Sequence, residues 1–244
     1  MLGNLALDTA SIPFADGCSN CSQRSTCFLA TRLPDEHGKC AGAVRRRVPL
    51  ARDEHLFNRG SDFRFVYIVC AGSLKTQRET LDGDLVITGF HFPGDIVGIE
   101  AVADRTYPCD AIATTDVKIC QLDFSHMLAR CASDPNLHQW VISRISLYHR
   151  RRDGDLCWST SMPAQQRVLR FFVTMYEQLR HACGYADASF ALPMRKQDIA
   201  RYLHITPETL SRNLRQLRRQ GLLQIDRNRF SLPNTLRARQ LTQY

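Results

Sequence analysis

The 244-residue chain has no apolar run near the roughly 18 residues that a membrane-spanning helix requires, which excludes a helical membrane protein. Its first residues, Met1-Leu2-Gly3-Asn4-Leu5-Ala6-Leu7-Asp8, lack the basic start and continuous apolar stretch of a secretory leader, so the expected compartment is the cytosol. There is no internal repeat and no low-complexity segment. H-E-x-x-H, G-x-S-x-G and a phosphate-cradling glycine loop are also missing, and His37, His55 and His91 stand isolated. These absences argue against an enzyme. What is present is ordinary for a soluble globular protein: 44% hydrophobic and 23% charged residues, in a length that predicts two domains.

The formal net charge of +8 is unevenly spread. From Arg195 to Tyr244 there are eleven arginines and lysines against three acidic residues, so the last fifty positions carry the whole excess. A basic module on a neutral remainder points to a polyanionic partner. Nucleic acid is favoured over membrane, because no lipid-facing amphipathic segment accompanies the charge.

The pattern along the chain divides it into four parts. Residues 1–28 are polar and cysteine-rich with neither helical nor strand periodicity. Residues 29–133 contain short β-prone runs between turn signals: 65–70, 85–90, 96–99 and 117–122, which predict a β-sandwich or roll. Asp82-Gly83-Asp84 reads as a hairpin tip, since Asp-Gly supplies the positive φ of a tight turn. In 134–161, Leu137, Val141, Ile145 and Tyr148 recur at helical steps. That stripe either packs on its own domain or pairs with a twin across a two-fold axis. The helix is expected over 137–152, where Arg150-Arg151-Arg152 makes a charge run, and Gly154 weakens it into a hinge. Residues 162–244 then read as helix, short strand, helix, turn, helix and hairpin.

Within this basic end, 195–203 is a short helix, His204-Ile205 a turn, and Thr206-Pro207 a second helix start with Thr as N-cap and Pro at N1. Leu210, Leu214 and Leu217 face the core, which leaves Glu208, Ser211 and Arg212 on the opposite face near the N-terminal end. A helix-turn-helix needs this arrangement, because the first residues of its second helix meet base edges. There Arg reads guanine, Glu accepts from cytosine and Ser is permissive. Arg215, Arg218 and Arg219 then reach phosphates. Leu223–Ile225 and Arg229–Leu232 flank a basic tip and predict a wing.

At the other end Cys18, Cys21 and Cys27 form C-x2-C-x5-C, three thiolates in one short segment and a metal-binding spacing. Spacing does not choose between zinc and an iron–sulfur centre, and it leaves the fourth ligand open among Cys40, Cys70, Cys109, Cys120, Cys131, Cys157 and Cys183.

With a cysteine loop, a β-roll, a long helix and a winged helix-turn-helix in this order, the chain resembles the oxygen-sensing FNR branch of the CRP/FNR transcription regulators over nearly its full length. The likeness rests on the cysteine spacing, on Ile87-Thr88-Gly89-Phe90-His91 followed by Pro93-Gly94-Asp95-Ile96-Val97-Gly98, and on Glu208-Thr209-Leu210-Ser211-Arg212, which matches the family's E-x-x-S-R reading motif. The resemblance implies an α+β fold: a cyclic-nucleotide-binding-like β-roll, a dimerisation helix and a C-terminal winged helix-turn-helix. It implies a [4Fe-4S] cluster on Cys18, Cys21, Cys27 and Cys120, with Cys109 as the main competitor for the last place. The cluster would favour a DNA-binding homodimer when oxygen is low, on an inverted repeat like TTGAT, four base pairs, ATCAA. A contact with RNA polymerase is implied at Glu79, Asp82 and Asp84. The R-S-A signature that holds a cyclic nucleotide is replaced by Arg105-Thr106-Tyr107-Pro108-Cys109, so cyclic AMP is not expected. Thr26 before Cys27 is a poor shield, and no particular oxygen sensitivity carries over. The alternative is a regulator of the same architecture gated by nitric oxide, redox state or a small ligand.

Overall fold

A computed structural model describes residues 44–183 and 189–242; Cys18, Cys21, Cys27 and Cys40 lie outside the described residues, as do the side chains of 44–47, 151–161 and 181–183. The N-terminal half is a sandwich of two antiparallel sheets. Strands β1 (Val44–Leu50), β3 (Phe65–Ala71), β6 (Ile96–Val97) and β8 (Val117–Asp123) form one sheet in the order β1-β8-β3-β6. Strands β2 (His55–Phe57), β4 (Leu74–Glu79), β5 (Leu85–His91) and β7 (Asp110–Ala113) form the other, ordered β2-β7-β4-β5. Between the sheets lies a core rich in aromatic residues. Phe57 stacks on Tyr107 with centroids 3.9 Å apart, and the Tyr107 hydroxyl donates to the Phe65 carbonyl at 2.7 Å. That buried hydroxyl is satisfied, as burial in an apolar interior demands.

Strand β4 has no counterpart among the runs read from sequence, because Leu74-Lys75-Thr76-Gln77-Arg78-Glu79 alternates apolar and polar too weakly to stand out. The turn before it depends on Gly72. It has φ +78°, and a Cβ there would lie 2.1 Å from the Asp116 carbonyl oxygen.

Helix α1 (Phe124–Ser133) leaves β8 under a cap from Asp123, whose carboxylate accepts from the amides of Ser125 and His126 at 3.1 and 3.4 Å. Helix α2 (Pro135–Ser161) follows, starting from Asp134, which accepts from Asn136 and Leu137. It is one helix of 27 residues that runs straight past Gly154. The expected end near 152 and the hinge at Gly154 are therefore corrected. One glycine costs about 1 kcal/mol in a helix, too little to interrupt one that long.

The C-terminal half comprises α3 (Ala164–Cys183), β9 (Ser189–Ala191), α4 (Lys196–Tyr202), α5 (Pro207–Arg219), β10 (Gln224–Asp226), β11 (Arg229–Ser231) and α6 (Thr235–Gln240). Its core gathers Phe172, Met175, Ile199, Leu210, Leu217 and Phe230 with others from the same segment, and also takes in Phe92 of the roll. Phe90 packs edge-on to Phe171 and Tyr202 at 5.7 and 5.3 Å. The two halves are further joined by Lys75 Nζ to Asp198 Oδ1 at 2.9 Å, with both side chains nearly enclosed, and by an exposed Arg195–Asp53 pair at 2.8 Å.

Candidate nucleic-acid interface and thiol site

Helix α5 begins where sequence places it. The Thr206 hydroxyl accepts from the Thr209 amide at 3.2 Å and Pro207 occupies the first turn, so two of the end's unpaired donors are answered by chemistry encoded in adjacent residues. Before it, His204 adopts φ +51° and the Ile205 amide donates to the Ala200 carbonyl, which turns the chain sharply from α4 into α5. Leu210 and Leu217 are each 1% exposed, and Leu214 packs against the same core. Asn213 is buried beside them, a position that apolar periodicity could not flag.

The other face is open. Glu208, Ser211, Arg212, Arg215, Arg218 and Arg219 are all exposed, spread over about three turns, or roughly 16 Å at 1.5 Å per residue. Glu208 is held below the usual carboxylate range by a hydrogen bond from its own backbone amide and another from the Thr206 hydroxyl, so it presents a charged acceptor at the helix start. A convex helix with an acceptor, a small hydroxyl and a guanidinium at its N-terminal end, and three arginines beyond, can read base edges and neutralise phosphates.

The predicted hairpin is present as β10 and β11, with Ile225 opposite Phe230 and a tip at Arg227-Asn228, where Arg227 takes φ +50°. Strand β9 adds to it through Phe190 opposite Phe230, giving a three-stranded wing sheet. The Arg229 guanidinium ties the middle strand β11 to the outer strand β9 by donating to the Ser189 hydroxyl at 3.2 Å. Helix α6, capped by Asn234, was not legible in the sequence; its run Thr-Leu-Arg-Ala-Arg-Gln carries only one turn of apolar signal.

Cys120 lies on β8, one of the two central strands of its sheet. Val117 and Ile119 belong to the core between the sheets, so the strand's alternation turns Lys118 and Cys120 to the opposite, outer face of the sheet. Lys118 is exposed there and Cys120 is buried, with its sulfur 3.0 Å from that of Cys70. Cys109, in contrast, sits inside the core with its thiol 3.6 Å from a Glu100 carboxylate oxygen. Cys131 is half-buried on α1, its thiol pushed up by burial and by the nearby Asp134 charge. Among the described residues no three Cys, His, Asp or Glu side chains converge on a metal position.

Glu79, Asp82 and Asp84 stand exposed on the β4–β5 connection, closed by Thr80 N–H to Asp84 O at 2.9 Å. Gly83 takes the expected positive φ, +83°, although the loop runs from Thr80 to Asp84 and is longer than a two-residue turn. Leu81 at its tip is fully exposed.

The apolar stripe on α2 is where the structure corrects the sequence reading. Leu137 is 0% exposed and Val141 packs on the roll core. Val141, Ile145 and Tyr148 line a cavity of about 540 Å³ enclosed with Ile87, Phe171 and Met175. Leu137, Val141 and Tyr148 thus turn toward their own chain, whereas Ile145 lines the same cavity but stays 38% exposed. Periodicity identifies a helical face but not what covers it. Among the described side chains of α2, Ile142, 51% exposed, and Ile145, 38% exposed, are the large apolar ones offered outward, between exposed His138 and His149.

Residues 166–239 match the Crp-like helix-turn-helix domain and residues 47–134 the cyclic nucleotide-binding domain. The chain is 31% identical over 220 residues to the transcriptional regulatory protein btr of Bordetella pertussis, with 90% of each chain covered. It is 28% identical over 218 residues to the fumarate and nitrate reduction regulatory protein of Escherichia coli, covering 89% of this chain and 86% of that one. Among solved structures, FixK2 from Bradyrhizobium japonicum aligns with a TM-score of 0.73 and 26% identity, over 82% of this chain and 98% of that chain. Both curated relatives are named as regulatory proteins. With the roll, the long helix and the winged helix in this order, and with this likeness along nine-tenths of the chain, the protein belongs to the CRP/FNR family of DNA-binding transcription regulators.

Proposed function

We propose that the protein is an oxygen-responsive member of this family, acting as a homodimer on an inverted repeat like TTGAT-N4-ATCAA and mainly activating genes of anaerobic growth. The observation that carries the DNA part is the exposed α5 face. Glu208, Ser211 and Arg212 stand together at the N-terminal end of a capped helix, where base edges are reached, with Arg215, Arg218 and Arg219 placed behind them for phosphate. Dimerisation through α2 uses the outward pair Ile142 and Ile145 rather than Leu137. The acidic β4–β5 loop, with Glu79, Asp82, Asp84 and an uncovered Leu81, is the surface assigned to RNA polymerase.

The sensing part rests on thiol chemistry. Cys18, Cys21 and Cys27 supply three soft ligands from one segment, and Cys120 supplies a thiol on the outer face of the roll rather than in its core, where Cys109 is enclosed. Four thiolates suit a [4Fe-4S] cluster, which when bound supplies an oxygen-labile link between the N-terminal segment and the roll. Likeness to the fumarate and nitrate reduction regulators supports the same reading. Cyclic AMP is not the expected signal, since no R-S-A sequence is present. A second reading, gating by a small ligand without a cluster, is favoured by one observation, the cavity of about 540 Å³ beside α2.

The deciding experiment is anaerobic purification with absorption spectroscopy and iron and sulfide analysis, before and after air, on wild type and Cys120→Ala. A brown protein with about four irons per chain that bleaches in air, and a colourless variant, are the expected results. A colourless wild type after competent cluster supply would overturn the sensing assignment and leave the DNA reading standing.

A further inference from the structure

The face of the roll that carries Cys120 holds a second thiol that the cluster reading does not use. On β3 the register pairs Ile68 with Cys120, Val69 with Ile119, and then Ala71 with Lys118, so Cys70 is the extra residue of a bulge between 69 and 71. A bulge re-aims the side chain of its inserted residue, and here it brings the Cys70 sulfur to 3.0 Å from that of Cys120. Cys70 also points its thiol at the Ile68 carbonyl at 3.7 Å. Both cysteines are under 10% exposed, at 6% and 7%. An S–S bond measures about 2.05 Å, so closure needs the sulfurs to approach by only about 1 Å.

We propose that Cys70 and Cys120 form a site of oxidative modification that closes to a cross-strand disulfide whenever Cys120 carries no metal. The oxidant is hydrogen peroxide, which reaches thiols too enclosed for protein oxidoreductases. One thiol is oxidised by the peroxide to a sulfenic acid with release of one water. The second thiol then attacks that sulfur, the S–S bond forms, and the hydroxyl leaves as a second water. Two electrons pass from the thiols to the peroxide, and no further reagent is needed. The neighbour therefore diverts Cys120 from irreversible sulfinic acid into a bond that a dithiol reverses. The consequence for sensing rests on the proposed cluster. A chain closed in this way lacks its fourth ligand until it is reduced.

The test uses full-length protein stripped of metal by a chelator under argon, exposed to hydrogen peroxide, alkylated and digested with trypsin. Cleavage after Arg64, Lys75, Lys118 and Arg130 gives the peptides 65–75 and 119–130, each with a single cysteine. The expected product is these two peptides joined, with a mass lower by about 2 Da than their sum, in most chains and separated by dithiothreitol. Cys70→Ser should abolish the joined product and leave Cys120 as sulfinic acid. Recovery of both peptides alkylated in the wild type, or of Cys120 joined to any other cysteine, would overturn the proposal. Iron content of the same preparation before chelation reports the cluster separately, so a metal-free wild type that still crosslinks refutes the cluster and not the thiol pair. If Cys70→Ser itself loses iron, Cys70 is a ligand and the proposal fails.

Discussion

The Lys75–Asp198 pair offers the sharpest energetic test, because it fastens the first helix of the helix-turn-helix to strand β4 of the roll. The ammonium and carboxylate are 2.9 Å apart, with side chains 13% and 8% exposed. At an effective dielectric constant of about 20 their attraction is roughly 6 kcal/mol, most of which offsets the loss of hydration. Removing one partner is different from removing both. Lys75→Met keeps the alkyl packing but leaves a carboxylate enclosed without its cation, a loss of 3–5 kcal/mol for fully buried pairs. Lys75 retains some exposure, so about 3 kcal/mol is expected, and Asp198→Leu, which leaves the ammonium without its carboxylate, should cost a similar amount. The combination Lys75→Met with Asp198→Leu removes both charges together and should return to within about 1 kcal/mol of wild type. Urea unfolding of the four proteins is the assay, read at constant slope so that midpoint shifts report stability. Additive losses in the double variant would refute the coupling, and single losses below about 0.5 kcal/mol would mean that the pair behaves as an exposed one.

Other tests follow from the interface. Arg212→Ala should relax preference at one base position by about 1–3 kcal/mol, whereas Arg218→Ala should weaken all sequences alike and lower the salt slope by about one; equal loss of specificity in both, measured by fluorescence anisotropy at several salt concentrations, would contradict the assigned faces. Thr206→Ala removes the α5 cap and should cost about 1 kcal/mol in thermal or urea unfolding. Ile142→Glu should abolish dimers in sedimentation while leaving the monomer folded, whereas Leu137→Ala should cost about 2–5 kcal/mol of chain stability instead; the reverse outcome would restore the Leu137 stripe as the interface. Asp123 is pushed up by burial, but the amides of His126 and Ser125 and the nearby His126 and Arg64 more than compensate, so its pKa is lowered on folding. A depressed folded value contributes stability that is present above the unfolded value and lost as pH falls through the folded one. Asp123→Asn should therefore flatten the acid limb of stability below about pH 4, which an acid titration of unfolding checks.

The exposed α5 face was legible because it is local. A capping threonine, a proline after it and leucines at three- and four-residue steps fix both a helix and its outward face within one segment, and the six outward side chains stand where that spacing puts them. The hairpin wing was legible for the same reason, and so was the roll as a succession of β-prone runs. The α2 stripe was not. Leu137, Val141, Ile145 and Tyr148 mark a face, but which surface covers it depends on β5 and α3, tens of residues away in both directions. Equally, no spacing rule relates Cys70 to Cys120. Fifty residues separate them, and the bulge that brings their sulfurs to 3.0 Å comes from the register of β3 on β8. The placement of Phe92 in the C-terminal core and the Lys75–Asp198 clamp are of the same kind. The sequence by itself determined the order of modules, the reading helix and the cysteine spacing, all set by neighbours a few bonds apart. Only tertiary structure decided which apolar face is enclosed, which thiols meet and how the two halves are fastened, because these depend on strand register and packing between segments distant along the chain.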